Sequence, residues 1–547
     1  MRAALGVVAN RFSVELEGTG MWVFEWFGVV SALAGLLLVW GLPLHRLGMT
    51  PLVLARATQI CLAWMLVQVA GLTVGLVSGM SRPGGVLEGF GGSLYIDSLT
   101  LVMAALISTL GIVVARFAIR YLDGQPRQAY FFRWFAFTLA AVLSLVLVGD
   151  LLSLTLAWIA TSTGLHQLLT FHPDRREAVI AARTKFVISR LGDAFLILGL
   201  VLTYREFGSW RYDQVFAAVE GVQAAGRSQA LVWIAVAYVL GAMTKSAQFP
   251  FHSWLPNTME TPTPVSALMH AGVINAGGFL IIRLSPLVAQ STLALDLLAL
   301  IGAFTALFGA LVASTQTSVK RSLAFSTVAQ MGFMMLQCGL GAFSAALLHI
   351  VAHSAYKAHA FLSSGSVLEA AQSRRVNWRG SERWGHVLVA NLAALVIASV
   401  MLSIVGYSFG ILGTDKPGAI VLSLVMLLAL TQLIGSSLTR RSPALVVRTL
   451  LASCGIVIAY AMSFRVFDLL LAQSVSHSAK SLSPWDALLV GSVMIGFAAM
   501  TLLSIRVKSG HSSQWLARLH THAAAGFYID VFWRRFIKRL GALPSAL

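Results

Sequence analysis

The sequence predicts an all-α polytopic membrane protein with about fifteen transmembrane helices, and three observations carry that prediction. First, the 547 residues are 57% hydrophobic and only 11% charged, whereas a soluble globular chain carries about 25% charged residues. Second, a spanning helix needs about 20 mostly apolar residues. Runs of that kind begin near Met21, Pro51, Ser98, Phe131, Leu151, Ala178, Gln229, Thr263, Ser291, Val319, Gly341, Trp384, Pro417, Arg448 and Trp485. Third, the connections alternate in charge. Those after odd-numbered runs hold Arg46, then Arg116, Arg120, Arg127 and Arg133, then Arg175, Arg176 and Arg183, later Lys320 and Arg321, Arg374 to Arg383, and Arg440 and Arg441. Those after even-numbered runs are nearly neutral, with Arg82 against Glu88 and Asp97, Asp415 against Lys416, and Lys480 against Asp486. One odd connection dissents, since the one after the seventh run carries only Glu260. Basic loops stay cytoplasmic, so the N-terminus is expected outside and the C-terminus inside.

The formal charge of +18 follows from the same loops and needs no nucleic acid to explain it. The opening "MRAALGVVANRFSVELEGTG" has too short an apolar run and two acids, and does not read as a cleaved signal. Cys61, Cys338 and Cys454 lie far apart within apolar runs, as packed thiols do, and no CxxC or Cys/His cluster suggests a metal or redox centre in this chain.

Two stretches depart from simple spans. "RPGGVLEGFGG" resembles a phosphate loop only superficially, has no strand–helix context, and reads as a turn in an outward loop. "KSAQFPFHSWLPNTMETPTPVSALMH" carries Pro250, Pro256, Pro262 and Pro264, and proline breaks a helix. Irregular backbone at membrane depth is tolerated only inside protein or beside a wet cavity, and interrupted helices are where transporters bind ions. After the last span, residues 507–547 mix Trp515, Phe527, Tyr528, Phe532, Trp533 and Phe536 with basic residues, as a cytoplasmic amphipathic tail that grips either lipid or a protein.

Ionisable residues inside spans are costly and face polar interiors. In "KFVISRLGDAF", Lys185, Arg190 and Asp193 lie in the sixth run, with Arg190 and Asp193 spaced to pair on one face, either as a structural ion pair or as part of a path. Lys245 stands five residues before Pro250, as either a snorkelling lysine or a group that gains and loses a proton once desolvated. His270 lies among small residues in "VSALMHAGVINAGGF", as either a satisfied interior histidine or a relay member. The densest case is "HIVAHSAYKAHAF". At 100° per residue His349, His353 and Lys357 fall within about 80° on one helix face at about 6 Å rise per step, and His359 lies on the other flank of His349. Histidine accepts on one nitrogen and donates from the other near neutral pH. With no carboxylate or cysteine to converge on a metal, the row reads as a proton wire.

At these residues the chain resembles the antiporter-like, proton-translocating subunits of respiratory complex I, above all subunit L, and the Mrp antiporters. The text that carries the resemblance is "GAMTKSAQFPFHSWLPNTMETPTPVSALMHAG", "TQTSVKRSLAFSTVAQMGFMM", "HIVAHSAYKAHAFLSSGSVLE" and the terminal "GFYIDVFWRRF". The resemblance implies two inverted five-helix repeats, each with a broken helix, at about 131–285 and 291–438, preceded by helices in 1–130 and followed by helices in 447–506. It also implies that Lys245 is the broken-helix lysine of the first repeat, His270 the histidine after it, and His349, His353 and Lys357 the central axis. Three departures accompany it. The family glutamate after the tryptophan of the fifth span is replaced by Ile159 in "LAWIAT", with His166 two turns on as a partial substitute. "VLVANLAALVIASVMLSIVGYSFGILG" lacks the charge of the second broken helix, and the lateral helix of subunit L has no counterpart.

"TPTPVSALMHAGVINAGGFLI" and "AYKAHAFLSSGSVL" are similar to the DabB family, membrane subunits of the DAB inorganic-carbon accumulation complexes. That similarity implies a non-enzymatic coupling subunit of a bacterial inner membrane, without cofactor of its own. It further implies a DabA-like, cytoplasm-facing partner with a zinc site of carbonic-anhydrase type, where proton flow through the membrane subunit makes CO2 hydration to bicarbonate one-way. The rival expectations are an H+/Na+ antiporter or complex I-like module, and a membrane anchor that conducts nothing.

Overall fold

Short polar residues set where the helices begin. The Asp97 carboxylate accepts from the Thr100 N–H at 2.8 Å, Asp150 from Ser153 at 2.7 Å, and the Ser291 hydroxyl from Ala294 at 3.2 Å, so each satisfies a donor that a helix start leaves unpaired. Pro51 and Pro443 open two further helices at the first turn, where no proline N–H is missed. The computed structural model describes residues 26–41, 50–78, 85–89, 92–225, 229–366, 384–410, 417–439, 442–472, 474–475, 483–508 and 513–539. The N-terminal stretch, the basic residues Arg374 to Arg383, Arg440 and Arg441, and the end of the tail lie outside the described residues.

In chain order the elements are α1 (Trp26–Gly41), α2 (Pro51–Val77), β1 (Gly85–Gly89), β2 (Gly92–Ile96), α3 (Ser98–Tyr121), α4 (Gln128–Leu147), α5 (Leu151–Leu169), α6 (Arg176–Phe207), α7 (Tyr212–Ala225) and α8 (Gln229–Lys245). Then come α9 (Thr263–Ala271), α10 (Ala276–Arg283), the single turn α11 (Ser285–Val288), α12 (Thr292–Thr315), α13 (Val319–Gly339) and α14 (Phe343–Leu362). The last are α15 (Trp384–Ser408), α16 (Pro417–Thr439), α17 (Pro443–Leu470), α18 (Pro484–Lys508), α19 (Gln514–Ala524) and α20 (Ile529–Arg539). A helix therefore lies at every apolar run. Among the described residues nine are long and apolar enough to cross a membrane: α2, α3, α4, α6, the α9–α10 pair, α12, α15, α17 and α18.

Two expectations are corrected. The glycine-rich stretch expected as a turn forms an antiparallel hairpin, β1 on β2 with Val86 opposite Tyr95, the exception to an all-helical fold among the described residues. Among the described residues of the stretch where the resemblance implies the second broken helix, α15 runs without interruption over 25 residues. Its interior has no proline, so every backbone donor from one turn in stays available to the helix.

The chain divides into two compact units, and α8 and α14 each contribute to both. The first holds Met1–Gly241, Asn257–Ala276 and Ser354–Leu362. Within it α4 packs on α5, α3 on α2, and α9 on α3 and α5. Phe131, Phe132 and Phe135 of α4 are fully buried, with Phe131 stacked on Phe135 at 5.4 Å. The hairpin is tied in through the Gly149 N–H, which donates to the Ser93 carbonyl at 2.8 Å.

The second unit holds Ala242–Pro256, Gly277–His353 and Ser363–Leu547. Its tightest contact is α12 against α13, where Gly302, Gly309, Gly332 and Gly339 bring the two backbones together, the close approach small residues permit in membrane helices. Ala303, Leu336, Leu489 and Val493 join α18 to that pair, and Ala394, Ala398, Leu430, Ile434 and Val457 form the core among α15, α16 and α17.

Candidate functional site: a broken helix and a row of titratable residues

Helix α8 stops at Lys245, and the chain passes through Ala247, at φ 48°, and Pro250 into a 3-10 turn at Phe251–Trp254. The last carbonyls of a helix have no partner within it. Here the Trp254 indole N–H donates to the Thr244 carbonyl at 3.2 Å, and the Gln248 side chain donates to the Ser246 carbonyl at 2.9 Å. Lys245 is thereby held inside the protein, 5% exposed. Gly277 passes so close that an added Cβ would sit 2.4 Å from the Ser246 hydroxyl and 2.5 Å from the Ala242 carbonyl, so only glycine fits there. The break also buries a histidine that sequence reasoning passed over. His252 is 2% exposed, with its ring 5.8 Å from Phe249 and 4.8 Å from Phe308. Its signal was present, a titratable residue two positions after Pro250 in irregular backbone.

His270 of α9 is fully buried and stacks on Phe361 of α14 at 4.3 Å, and Lys357 stands close enough for their charges to interact. The neighbouring Asn275 amide donates to the Ala271 carbonyl at 2.9 Å and to the Ser354 hydroxyl at 2.8 Å, fastening the end of α9 to α14.

Helix α14 carries the row. The rings of His349 and His353 are neighbours, tilted by 50° with centroids 6.0 Å apart, and Lys357 follows one turn further along the same helix. His353 and Lys357 are buried, at 5% and 1% exposed. His359 stands apart, exposed on the other flank. Nδ1 of His349 lies 3.2 Å from the Gln337 side-chain oxygen. With that nitrogen donating to the amide oxygen, Nε2 is left as the acceptor. Gln337, buried on α13, was not singled out from the sequence, where its polarity within "MGFMMLQCGL" was the available signal.

The supporting residues lie in the first unit. Lys185 of α6 is 3% exposed and donates to the Ser162 carbonyl of α5, one turn beyond Ile159. His166, one turn further, is half-buried against Phe186 at 5.6 Å. The expected pair of Arg190 and Asp193 is formed at 2.7 Å. Lys185 and Arg190 both lie within electrostatic reach of His166. At the α5–α6 connection Arg175 pairs with Glu260 at 2.8 Å, and partial burial together with the positive charges of Arg175 and Arg127 holds the His172 imidazole below its usual range.

Thus Lys245, His349 and His353 belong to the second unit, and His166, Lys185, Arg190, Asp193, His270, Lys357 and His359 to the first. Buried titratable groups at one-turn intervals are suited to passing protons, by side-chain rotation or through single bridging waters.

Comparison with known proteins agrees with this architecture. Residues 148–414 match the transmembrane family NADH:quinone oxidoreductase/Mrp antiporter, and residues 90–132 match the N-terminus of complex I chain 5. The fold resembles a chain of the Mrp complex from Dietzia sp. DQ12-45-1b, with a TM-score of 0.62 and 21% identity over 94% of this chain and 59% of that one. It also resembles a chain of an archaeal membrane-bound sulfane sulfur reductase, with a TM-score of 0.56 and 17% identity over 94% of this chain and 99% of that one. The probable inorganic carbon transporter subunit DabB2 of Halothiobacillus neapolitanus is 39% identical over 82% of this chain and 80% of its own length. The corresponding DabB subunit of Hydrogenovibrio crunogenus is 32% identical over 81% and 83%. By that extent of identity, this multi-pass membrane protein belongs to the DabB family of probable inorganic carbon transporter subunits, related to the antiporter-like subunit L of complex I and to the Mrp antiporters.

Proposed function

We propose that this chain is the cation-translocating membrane subunit of an energy-coupled inorganic-carbon pump, with the proton as the cation. Protons pass down their gradient along His349, His353 and Lys357, with Lys245, His270 and His359 as flanking stations. That flow drives CO2 hydration to bicarbonate on a DabA-like partner, which carries zinc in a carbonic-anhydrase-like site on the cytoplasmic side. The observation that carries this reading is the row itself: two buried residues, His353 and Lys357, continue a line from His349 at one-turn spacing on α14. A lysine at the bilayer centre costs about 2.5–3.5 kcal/mol on insertion scales, so a helix that keeps one in line with two titratable histidines has a use for them. In this reading the chain crosses a bacterial inner membrane about fifteen times, N-terminus outside, with inverted repeats at 131–285 and 291–438. Lys185 and His166 serve the first half-path, where Ile159 replaces a carboxylate. The uncharged α15 leaves the exit to another route.

Lys357→Ala and His353→Ala, made singly, are expected to abolish growth that depends on carbon accumulation while the complex still assembles. Normal growth of both variants with intact assembly removes the relay. The second reading, an H+/Na+ antiporter or complex I-like module, draws on the antiporter family match and the Mrp-like fold. Purification from the native membrane separates the two. A zinc-containing partner supports the carbon pump, and NADH-linked subunits overturn it.

A further inference from the structure

The C-terminal helix α20 does not only lie along a surface. It turns Trp533 and Ile537 inward, at 6% and 0% exposed, while Phe532 and Phe536 stay exposed. The Trp533 indole N–H donates to the Pro250 carbonyl at 2.9 Å, and its ring lies 6.0 Å from Phe251. The carbonyl thus bound heads the 3-10 turn in the break that carries Lys245. A second line of contact runs beside it. The Gln316 amide donates to the Ala524 carbonyl at 3.2 Å, and Phe527 packs on Phe308 at 5.9 Å. Phe308 in turn touches Phe249 and His252 at 5.6 and 4.8 Å. Two indoles therefore grip the break, Trp254 at its start and Trp533 at its turn, and the second comes from 283 residues away.

We infer that α20 is a latch on the broken helix, and that Trp533 is a positioning residue whose N–H holds the backbone on which Lys245 is set. Pro250 supplies no N–H and Ala247 is left-handed, so this stretch does not continue as a regular helix, and two bonds from outside order it: the Trp533 N–H to the Pro250 carbonyl and the Phe249 N–H to the Thr305 hydroxyl. The exposed position of α20 puts that donor where events at the protein surface reach the break. The importance of Lys245 rests on the function proposed above, whereas the latch itself is a property of the fold.

The test uses the full chain in lipid nanodiscs, with Trp533→Phe, which keeps a smaller aromatic ring and deletes the N–H, and Trp515→Phe, at a tryptophan 61% exposed, as control. Amide hydrogen exchange is followed over residues 248–255, where the Phe249, Phe251 and Leu255 N–H groups are bonded. Trp533→Phe is expected to speed exchange there about fivefold, the factor one hydrogen bond is worth, with α4 and α15 unchanged and Trp515→Phe silent. Unchanged exchange at the break overturns the latch, whatever happens to transport. Faster exchange with an unaltered pH profile of proton uptake overturns the positioning role. A wild-type chain that takes up no protons refutes the transport reading alone, since the exchange result still decides the latch.

Discussion

Gly332 on α13 offers a stringent check on how the second unit is held together. A Cβ there would lie 2.4 Å from the Ala306 backbone nitrogen and 2.8 Å from the Gly302 carbonyl oxygen, against the 3.4–4 Å of ordinary contact. Both obstacles are backbone atoms, which cannot rotate aside. Gly332→Ala therefore forces α12 and α13 apart by about 1 Å, enough to forfeit a quarter to a half of the dispersion well at each contact along the seam. Overpacking of this kind costs about 1–3 kcal/mol, and the better helix propensity of alanine returns only about 0.5–1 kcal/mol. The net is a loss of up to about 2.5 kcal/mol where propensity by itself promises a gain. Gly71→Ala on α2, with nothing within 4 Å of the new Cβ, isolates the propensity effect. Thermal unfolding in nanodiscs should place Gly332→Ala below wild type and Gly71→Ala at or above it. If Gly332→Ala melts with or above Gly71→Ala, the backbone-to-backbone seam does not hold α12 and α13 as described.

Three further outcomes follow. Gln337→Leu removes the partner of His349 Nδ1 at 3.2 Å, and is expected to cut proton uptake several-fold while Gln337→Glu retains a contact and shifts the pH profile, measured with a dye in reconstituted vesicles. Asp193→Asn leaves Arg190, 40% exposed and paired at 2.7 Å, without its counter-charge, so its folded yield should fall below that of Arg190→Gln/Asp193→Asn, in which the Arg190 charge is removed together with its partner. The His172 imidazole is lowered from 6.5 by partial burial, Arg175 and Arg127. The unfolded chain thus takes up a proton first, and stability present above about pH 6.5 declines as pH falls toward the folded value. Melting at pH 7.5 and 5.5 should show a larger acid loss for wild type than for His172→Gln.

Much of the fold was legible because hydropathy and proline act locally. Every apolar run became a helix, and the break after Lys245 fell where Pro250 made a continuous helix untenable. The row on α14 followed from the helical period alone, since residues four apart share a face in any α-helix. In α15 the family resemblance pointed to a break, yet the local chemistry of an uninterrupted apolar run without proline pointed to a straight helix, and the local chemistry prevailed. The hairpin escaped notice because glycines that mark a turn equally well flank two short strands.

By itself, then, the sequence determined the membrane character, the helix positions, the interruption and the alignment of His349, His353 and Lys357. Each depends on residues within a few turns of one another, or on transfer of side chains from water. Tertiary structure decided which distant groups meet: Gln337 against His349, Phe361 over His270, Lys185 on the Ser162 carbonyl, and Trp533 on Pro250. These pairings join residues from 12 to 283 positions apart. They arise from how helices pack, through glycine seams and buried aromatic rings, and no local period encodes that arrangement.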